Sequence, residues 1–317
     1  MTDQPHISVL LNEVLGILQP RDSDVIVDGT FGAGGYSRAL LEMSACHVYG
    51  IDRDPQAIAI GRKMEAEFDG RLRVLEGCYA DMEALLQAAG VSQVDGVTLD
   101  VGVSSMQIDE AERGFSFMRD GPLDMRMSDS GPTAADIVNT ESETELARII
   151  FQYGEERRSR AIARVLVERR EEKPFERTVE LAEAVASVVR PTGKGIHPAT
   201  RTFQALRIFV NDELGQLAAG LAASERLLNP GGRLAVVSFH SLEDRRVKKF
   251  LSARSSARAN PSRHMPPGEE GEAPSFTLVK RGAIKAGEGE TSLNPRSRSA
   301  RLRGAIRTTA PVMEEVA

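Results

Sequence analysis

The sequence predicts a doubly wound α/β sheet interrupted by a helical insertion. Short apolar runs recur over the first hundred residues, each ends in an acid or a glycine, and each is followed by a helical pattern. The alternation stops after Gly102 and resumes beyond Phe203. Strands alternating with helices imply a parallel sheet covered on both faces.

Ser8 to Leu18 (SVLLNEVLGIL) has helical spacing with Ser8 as its N-cap, and Pro20 stops it. Val25-Ile26-Val27 is the first strand; it ends in Asp28-Gly29 and passes through Gly32, Gly34 and Gly35 into a helix from Tyr36 to Met43. His47 to Ile51 is the second strand, closed by Asp52, and Asp54-Pro55 starts a helix reaching Phe68. Leu72 to Leu75 is the third strand, Asp81 to Ala88 a helix, and Asp95 to Val101 the fourth strand. From Ser104 to Thr200 the chain is first turn-rich and then helical, at Glu143 to Tyr153, Arg157 to Arg170 and Val179 to Val189. One long helix is expected from Phe203 to Leu228, broken by Asn229-Pro230-Gly231-Gly232 before a strand at Arg233 to Phe239, with a last strand at Phe276 to Lys280. The domain reading is therefore 1–103 and 201–317 for the sheet domain and 104–200 for the insertion.

With 317 residues and 41% apolar content the chain can bury a large core. It has no basic leader and no apolar run of about 18 residues, so no membrane partner and a cytoplasmic location are expected. Cys46 and Cys78 lack metal spacing and read as buried free thiols. A net charge of −6 argues against indiscriminate nucleic-acid binding. Two runs free of acids stand out, Arg245 to Arg263 and Arg296 to Arg307 in the basic C-terminal tail, and a solvated helix face, a disordered tail or a phosphate-binding surface fits them.

In a doubly wound sheet, ligands bind at the carboxyl ends of the strands. Those ends carry the Asp28 to Gly35 turn, Asp52, Gly77-Cys78-Tyr79 and Asp100. Glycines let the backbone approach a ligand, and an acid at the end of the second strand accepts ribose hydroxyls, so an adenosine-type ligand is indicated. A dinucleotide needs G-x-G-x-x-G around its pyrophosphate. Here the turn is G-x-x-G-x-G-G behind Asp28, which would repel a pyrophosphate and suits a cationic sulfonium, favouring S-adenosylmethionine over NAD. Asp100 ends a buried-looking strand and needs a partner or a ligand, a salt bridge or helix cap being the structural alternative.

Taken together, several motifs resemble the bacterial ribosomal RNA small subunit methyltransferase H family, also called MraW. They are His6 to Leu11, Asp28 to Gly35, Leu99 to Ser105 with Gln107, Arg113 to Phe117, Pro122 to Met127, Tyr153 to Arg157, His197 to Leu214, Ser238 to Asp244 and Asn294 to Arg303. The resemblance covers nearly the whole chain in order. It implies a Rossmann-like S-adenosylmethionine methyltransferase sheet with an inserted helical domain for substrate recognition. It further implies methyl transfer to the exocyclic N4 of one cytidine in the decoding region of 16S rRNA, within the small ribosomal subunit. Matching positions imply cofactor contacts from Gly34, Gly35, Tyr36, Asp52, Tyr79, Asp100 and Gln107. Tyr36 departs from the family's usual His, Tyr79 from its common Phe, and Met106 from its common Pro.

Amino-methylating enzymes of DNA carry an Asp/Asn-Pro-Pro-aromatic turn after the fourth strand, which this sequence lacks. Asp100 and Ser104 occupy that place and are the candidate catalytic residues, without a metal. Phe115, Phe117 and Phe239 are candidates to stack an unstacked base, with core packing as the alternative. His197, Arg201, Arg207 and His240 are either RNA contacts or a structural network. A homodimer is compatible with the chain. A dinucleotide oxidoreductase is excluded by the glycine pattern, and a catalytically silent assembly factor is disfavoured by the intact acids and glycines.

Overall fold

The computed structural model of the chain describes residues 8–190, 197–256 and 273–313. His6, Ile7, Arg258 and Arg263 of the motifs above lie outside the described residues. By its contacts the chain divides into one unit of 1–102 and 214–317 and a second of 103–213.

The first unit is built on β1 (Val25–Asp28), β2 (His47–Asp52), β3 (Leu72–Glu76), β4 (Val94–Asp100), β5 (Leu228–Ser238), β6 (Phe276–Leu278) and β7 (Arg301–Arg307). Among the described residues these form a seven-stranded sheet of order β3-β2-β1-β4-β5-β7-β6. β1 to β5 run parallel and β7 runs antiparallel to both of its neighbours. The order reverses at β1, where the chain crosses from β3 to β4, and that switch point is where such sheets open a ligand crevice.

Two apolar layers cover the sheet, and the strands feed them alternately, as the period of two requires. Ile26, Ala235, Val237 and Leu302 pack on one face with α1 (Leu11–Leu18) and α2 (Gly35–Met43). Val27, Leu234, Val236 and Ala305 pack on the other with α4 (Met82–Ala88), α11 (Glu213–Leu227) and α12 (Ser241–Arg254). α3 (Pro55–Glu65) starts as expected, with Asp54 as N-cap and Pro55 in its first turn.

The second unit holds α5 (Ser105–Asp109), α6 (Ala134–Thr140), α7 (Glu143–Gly154), α8 (Ser159–Glu172), α9 (Thr178–Val188) and α10 (Thr200–Val210). Its core is its own, centred on Leu146, Ile149, Ile150, Ile162, Leu166, Leu181, Val185, Phe203 and Leu206. Its end at Glu213 lies beyond the expected boundary at 200, because α10 packs with these helices.

Four local expectations need correction. α1 begins at Leu11 with Leu10, in the left-handed region, as its N-cap instead of Ser8. The long helix from Phe203 is two helices, since Asn211 turns its amide inward: Nδ2 donates to Met125 O at 2.7 Å and Arg207 O at 2.9 Å, while Oδ1 accepts from Met127 N at 2.8 Å. Asp212 then takes a φ of 45°. The Asn229 to Gly232 segment does not break the chain before β5 but lies within it, with an irregular register against Val94 and Gly96. The second basic run is not a tail, for its last seven residues are β7.

β7 is held by ion pairs and a buried node. Arg303 Nε donates to Asp244 Oδ1 of α12 at 2.8 Å. Glu225 of α11, 1% exposed, accepts from Arg254 Nε and from Ser275 Oγ at 2.5 Å, while its backbone carbonyl accepts from Arg307 Nε at 3.1 Å. Removing one partner of a buried ion pair leaves the other charge uncompensated. Glu225→Ala is therefore expected to cost about 3–5 kcal/mol, read as a lower urea midpoint, and Glu225→Ala/Arg254→Met should recover part of it. A loss within error of zero would show that the node does not hold the sheet edge.

Candidate active site

The loop after β1 is tied to the strands on both sides of it. Gly29 N donates to Thr98 O at 2.9 Å, Phe31 N to Ile51 O at 3.0 Å, and Asp100 N to Thr30 Oγ1 at 2.7 Å. Gly34 has a φ of +78°, which a side chain rarely adopts, and caps α2. A Cβ on Gly35 would lie 2.0 Å from Ser8 Oγ, so a side chain there would force Ser8 of the N-terminal segment to shift.

Asp52 Oδ2 accepts from Gly32 N at 2.8 Å and Oδ1 from Asp54 N at 2.9 Å. These two bonds fix the carboxylate at the end of β2 and leave acceptor capacity, since its two oxygens offer about four lone-pair sites. Burial raises its pKa.

Asp28 is fully buried at the end of β1, where Oδ2 accepts from Ser37 Oγ at 2.7 Å. Burial pushes its pKa up to about 6, against the lowering effect of Ser37 and Thr30. Asp100 Oδ1 is shut off from solvent and has no hydrogen-bond partner. Burial, then the charges of Asp28 and Glu243, push the Asp100 carboxyl up to about 8, with Tyr36 pulling the other way. No cationic side chain is among the groups acting most strongly on Asp28 or Asp100. Carboxylates crowded together without a counter-charge stay partly protonated until a cation arrives.

Tyr36 is buried, its hydroxyl donates to Val9 O, and burial beside Asp100 and Asp28 raises its pKa well above the usual tyrosine value. Leu10 N in turn donates to Glu290 Oε1 at 2.7 Å, in α13 (Glu288–Leu293). Tyr36 thus anchors the segment that crosses the glycine loop. Tyr79 opens a short turn after β3, with its ring against Gly220 and its Cβ beside Gly29.

The structure brings Gly34, Gly35, Tyr36, Asp52, Tyr79 and Asp100 to one edge of the sheet unit, at the ends of β1, β2, β3 and β4. Ser104 and Gln107 fall in the helical unit. There they form the capping box of α5: Gln107 N donates to Ser104 Oγ at 3.2 Å and Ser104 N to Gln107 Oε1 at 3.0 Å.

Other candidates have structural work. Phe117 packs against His197 and Phe203, with ring centroids 4.5 and 4.9 Å apart. Arg113 lies over the Phe115 ring at 5.9 Å. Arg207 is paired with Glu213 at 2.7 Å and Arg201 with Glu156 at 3.5 Å. His240 caps α12 and Phe239 packs beside Gly102. Cys46 is buried as expected, but Cys78 is only half-buried and donates to Gln216 Oε1 at 2.7 Å. Thr30, Ser37 and Glu243 were not singled out as site residues; Thr30 and Glu243 had a signal, inside the Asp28 to Gly35 and Ser238 to Asp244 motifs, and Ser37 had none.

The donor set fits S-adenosylmethionine: an acid fixed at the end of β2, a loop open to close approach, and an orphaned buried carboxyl oxygen among acids that lack a cation. Among the described residues no helix is long and apolar enough to cross a membrane.

Comparison with known proteins agrees with this geometry. The model of the MraW methylase family matches residues 3–308. The chain is similar to the ribosomal RNA small subunit methyltransferase H of Paramagnetospirillum magneticum, at 61% identity over 100% of both chains. It is 58% identical to the protein of that name from Rhodospirillum rubrum, over 97% of this chain and 95% of that one. The Caulobacter vibrioides protein of that name is 56% identical over 99% of each.

An acid whose pKa rises on folding stabilises the fold at low pH, and that contribution is lost as the pH climbs from its unfolded value toward its folded one. For Asp100 the window runs from 3.8 to about 8. Asp100→Asn cannot ionise, so without cofactor its stability advantage over the parent should grow through that window, by at most about 1.4 kcal/mol per pH unit, and level off above it. Thermal unfolding at a series of pH values tests this; a pH-independent difference would mean an ordinary carboxyl.

Proposed function

The chain belongs to the MraW methylase family, and from that premise we propose that it methylates the exocyclic N4 of one cytidine in the decoding region of 16S rRNA, using S-adenosylmethionine, with the small ribosomal subunit as substrate. One observation carries the reading most directly: at the sheet's switch point Asp28 is fully buried and Asp100, two residues further along the next strand, holds an oxygen shut off from solvent without a partner, with no cationic side chain among the groups acting most strongly on either.

S-adenosylmethionine supplies an activated methyl on a cationic sulfur, with an ammonium group on its amino-acid end. Asp52 would accept the ribose hydroxyls. Gly34 and Gly35 admit the amino-acid end to the loop, Tyr79 would contact the cofactor beside them, and Gln107 is the further cofactor contact that the family resemblance implies. Asp100, with Asp28 behind it, offsets the positive charge. Tyr36 holds the N-terminal segment through Val9 and so keeps water from the acids.

A cytosine amine is a weak nucleophile because its lone pair is shared with the ring. Asp100 and Ser104 would orient it by accepting its N–H hydrogens. Orientation alone supplies as much as ~7–11 kcal/mol in well-aligned systems. The base must be drawn out of any stack, at a cost of a few kcal/mol.

Purified protein with methyl-labelled S-adenosylmethionine and small subunits from cells lacking the gene should place label in 16S rRNA, recovered after digestion as N4-methylcytidine by nucleoside mass spectrometry. Label confined to DNA, protein or another nucleoside would overturn the substrate assignment. A bound cation favours ionised Asp100, so binding should release protons and tighten as the pH rises toward about 8. Calorimetry in buffers of different ionisation enthalpy reads this directly. Asp100→Asn should bind at least tenfold more weakly at that pH, with no proton release; unchanged affinity and proton count would remove Asp100 from the site.

A further inference from the structure

The basic runs separate into two kinds of residue. Arg254, Arg303 and Arg307 are committed to Glu225, Asp244 and nearby carbonyls. Arg246, Lys248, Lys249, Arg298 and Arg301 are exposed and make no ion pair among the described residues.

α12 buries Glu243, Val247, Leu251 and Arg254 on one face. Arg245, Arg246, Lys248 and Lys249 are left on the solvent side without an interleaved acid. Like charges three and four residues apart weaken a helix, and Arg246 and Lys249 stand three apart on this face of α12.

The sheet register locates the second group. Asp100 pairs with Val237 across β4 and β5, and Val237 with Leu302 across β5 and β7. Two strand spacings, about 10 Å, separate Asp100 from Leu302, and Arg301 stands one residue nearer the edge, opposite Ser238. Because β7 is antiparallel, its first residues lie at the edge where β1, β4 and β5 end. Arg301 and Arg303 project from the same face of β7, and Arg303 is paired with Asp244 of α12. The ion pair sets α12 and Arg301 on one face of the sheet, with Val236 and Ala305, while Asp100, in register with Val237 and Leu302, lies on the other face at the same edge; Arg298 precedes β7 at that edge.

We propose that the outer face of α12, continued by Arg298 and Arg301, binds the phosphate backbone of the substrate RNA and brings the target cytidine to the Asp100 edge. This assignment rests on the RNA-methylating reading above. With a net charge of −6 over the whole chain, a local patch of this kind would steer RNA toward one edge of the sheet unit.

The test uses the full chain and small-subunit rRNA, with dissociation constants measured by filter binding over a range of salt concentrations. Arg246→Gln/Lys249→Gln and Arg298→Gln/Arg301→Gln should each weaken binding at least tenfold. Each should also lower the slope of log affinity against log salt by up to about two, near 0.7–0.9 for every phosphate no longer neutralised. S-adenosylmethionine affinity should stay at the parent value, as should kcat at saturating RNA. Arg62→Gln/Lys63→Gln, in the last turn of α3, removes the same charge and should change little. Parental affinity and slope in both test variants, or equal weakening in the control, would overturn the surface. If the parent binds RNA through these residues but transfers no methyl, the surface stands and the functional reading falls; if the parent binds no RNA, both fall.

Discussion

A pair of carboxyl groups packed into one dry corner without a counter-charge is the constraint around which the sheet unit is arranged. Asp28 and Asp100 end adjacent parallel strands, Asp28 opposite Thr98 and Asp100 two residues further on, so the topology delivers both to the same edge. Desolvating an unpaired charge is expensive, and proteins usually respond by protonating it. Here the pKa values rise to about 6 and about 8, which keeps the acids tolerable in the free protein and ready to ionise for a cation. The surroundings serve that compromise. Ser37 and Thr30 steady Asp28, Thr30 also holds the Asp100 backbone, and Tyr36 seals the corner beneath the N-terminal segment.

Much of the sheet was legible because parallel strands buried on both faces concentrate Val, Ile and Leu into short runs, and Asp28, Asp52 and Asp100 close three of them. The glycine turn was legible for a similar reason, since few other residues could occupy Gly34 or lie under Ser8. β7 was not. Its cations look like a solvated tail in one dimension, because Asp244 is 59 residues and Glu225 is 82 residues away from the arginines they hold. Local spacing carries no trace of such pairings.

The same limit explains the split of the long helical pattern at Asn211. Periodicity ran on across Asn211 and Asp212, whereas the break is imposed by backbone groups of Met125 and Met127, far back in the chain. Of the candidate site, the residues named from strand ends came together in one unit, while Ser104 and Gln107 are engaged with one another at the start of α5. The supporting hydroxyl of Ser37 gave no signal, because a single hydroxyl in a helix is commonplace, and Thr30, though inside the glycine-turn motif, was not singled out for the same reason. Tyr36 illustrates the same gap. Its part is read from a bond to the backbone of Val9, not from its own chemistry.

The antiparallel strand between β5 and β6 also governs when the molecule can become itself. Among the described residues β6 is bonded only to β7, and β5 is sealed on that side only by β7, so the strand latest in the sequence fills a gap flanked by earlier ones. Between β4 and β5 the chain first lays down a helical unit with its own core. Non-local closures of this kind are slow, and until they occur the apolar margin of β5 stays open to wrong partners. During synthesis the acid corner at β1 and β4 can form early, but the edge beside it is completed only after β7 has left the ribosome. The protein's own emergence thus imposes an order in which the pocket precedes the wall that completes it.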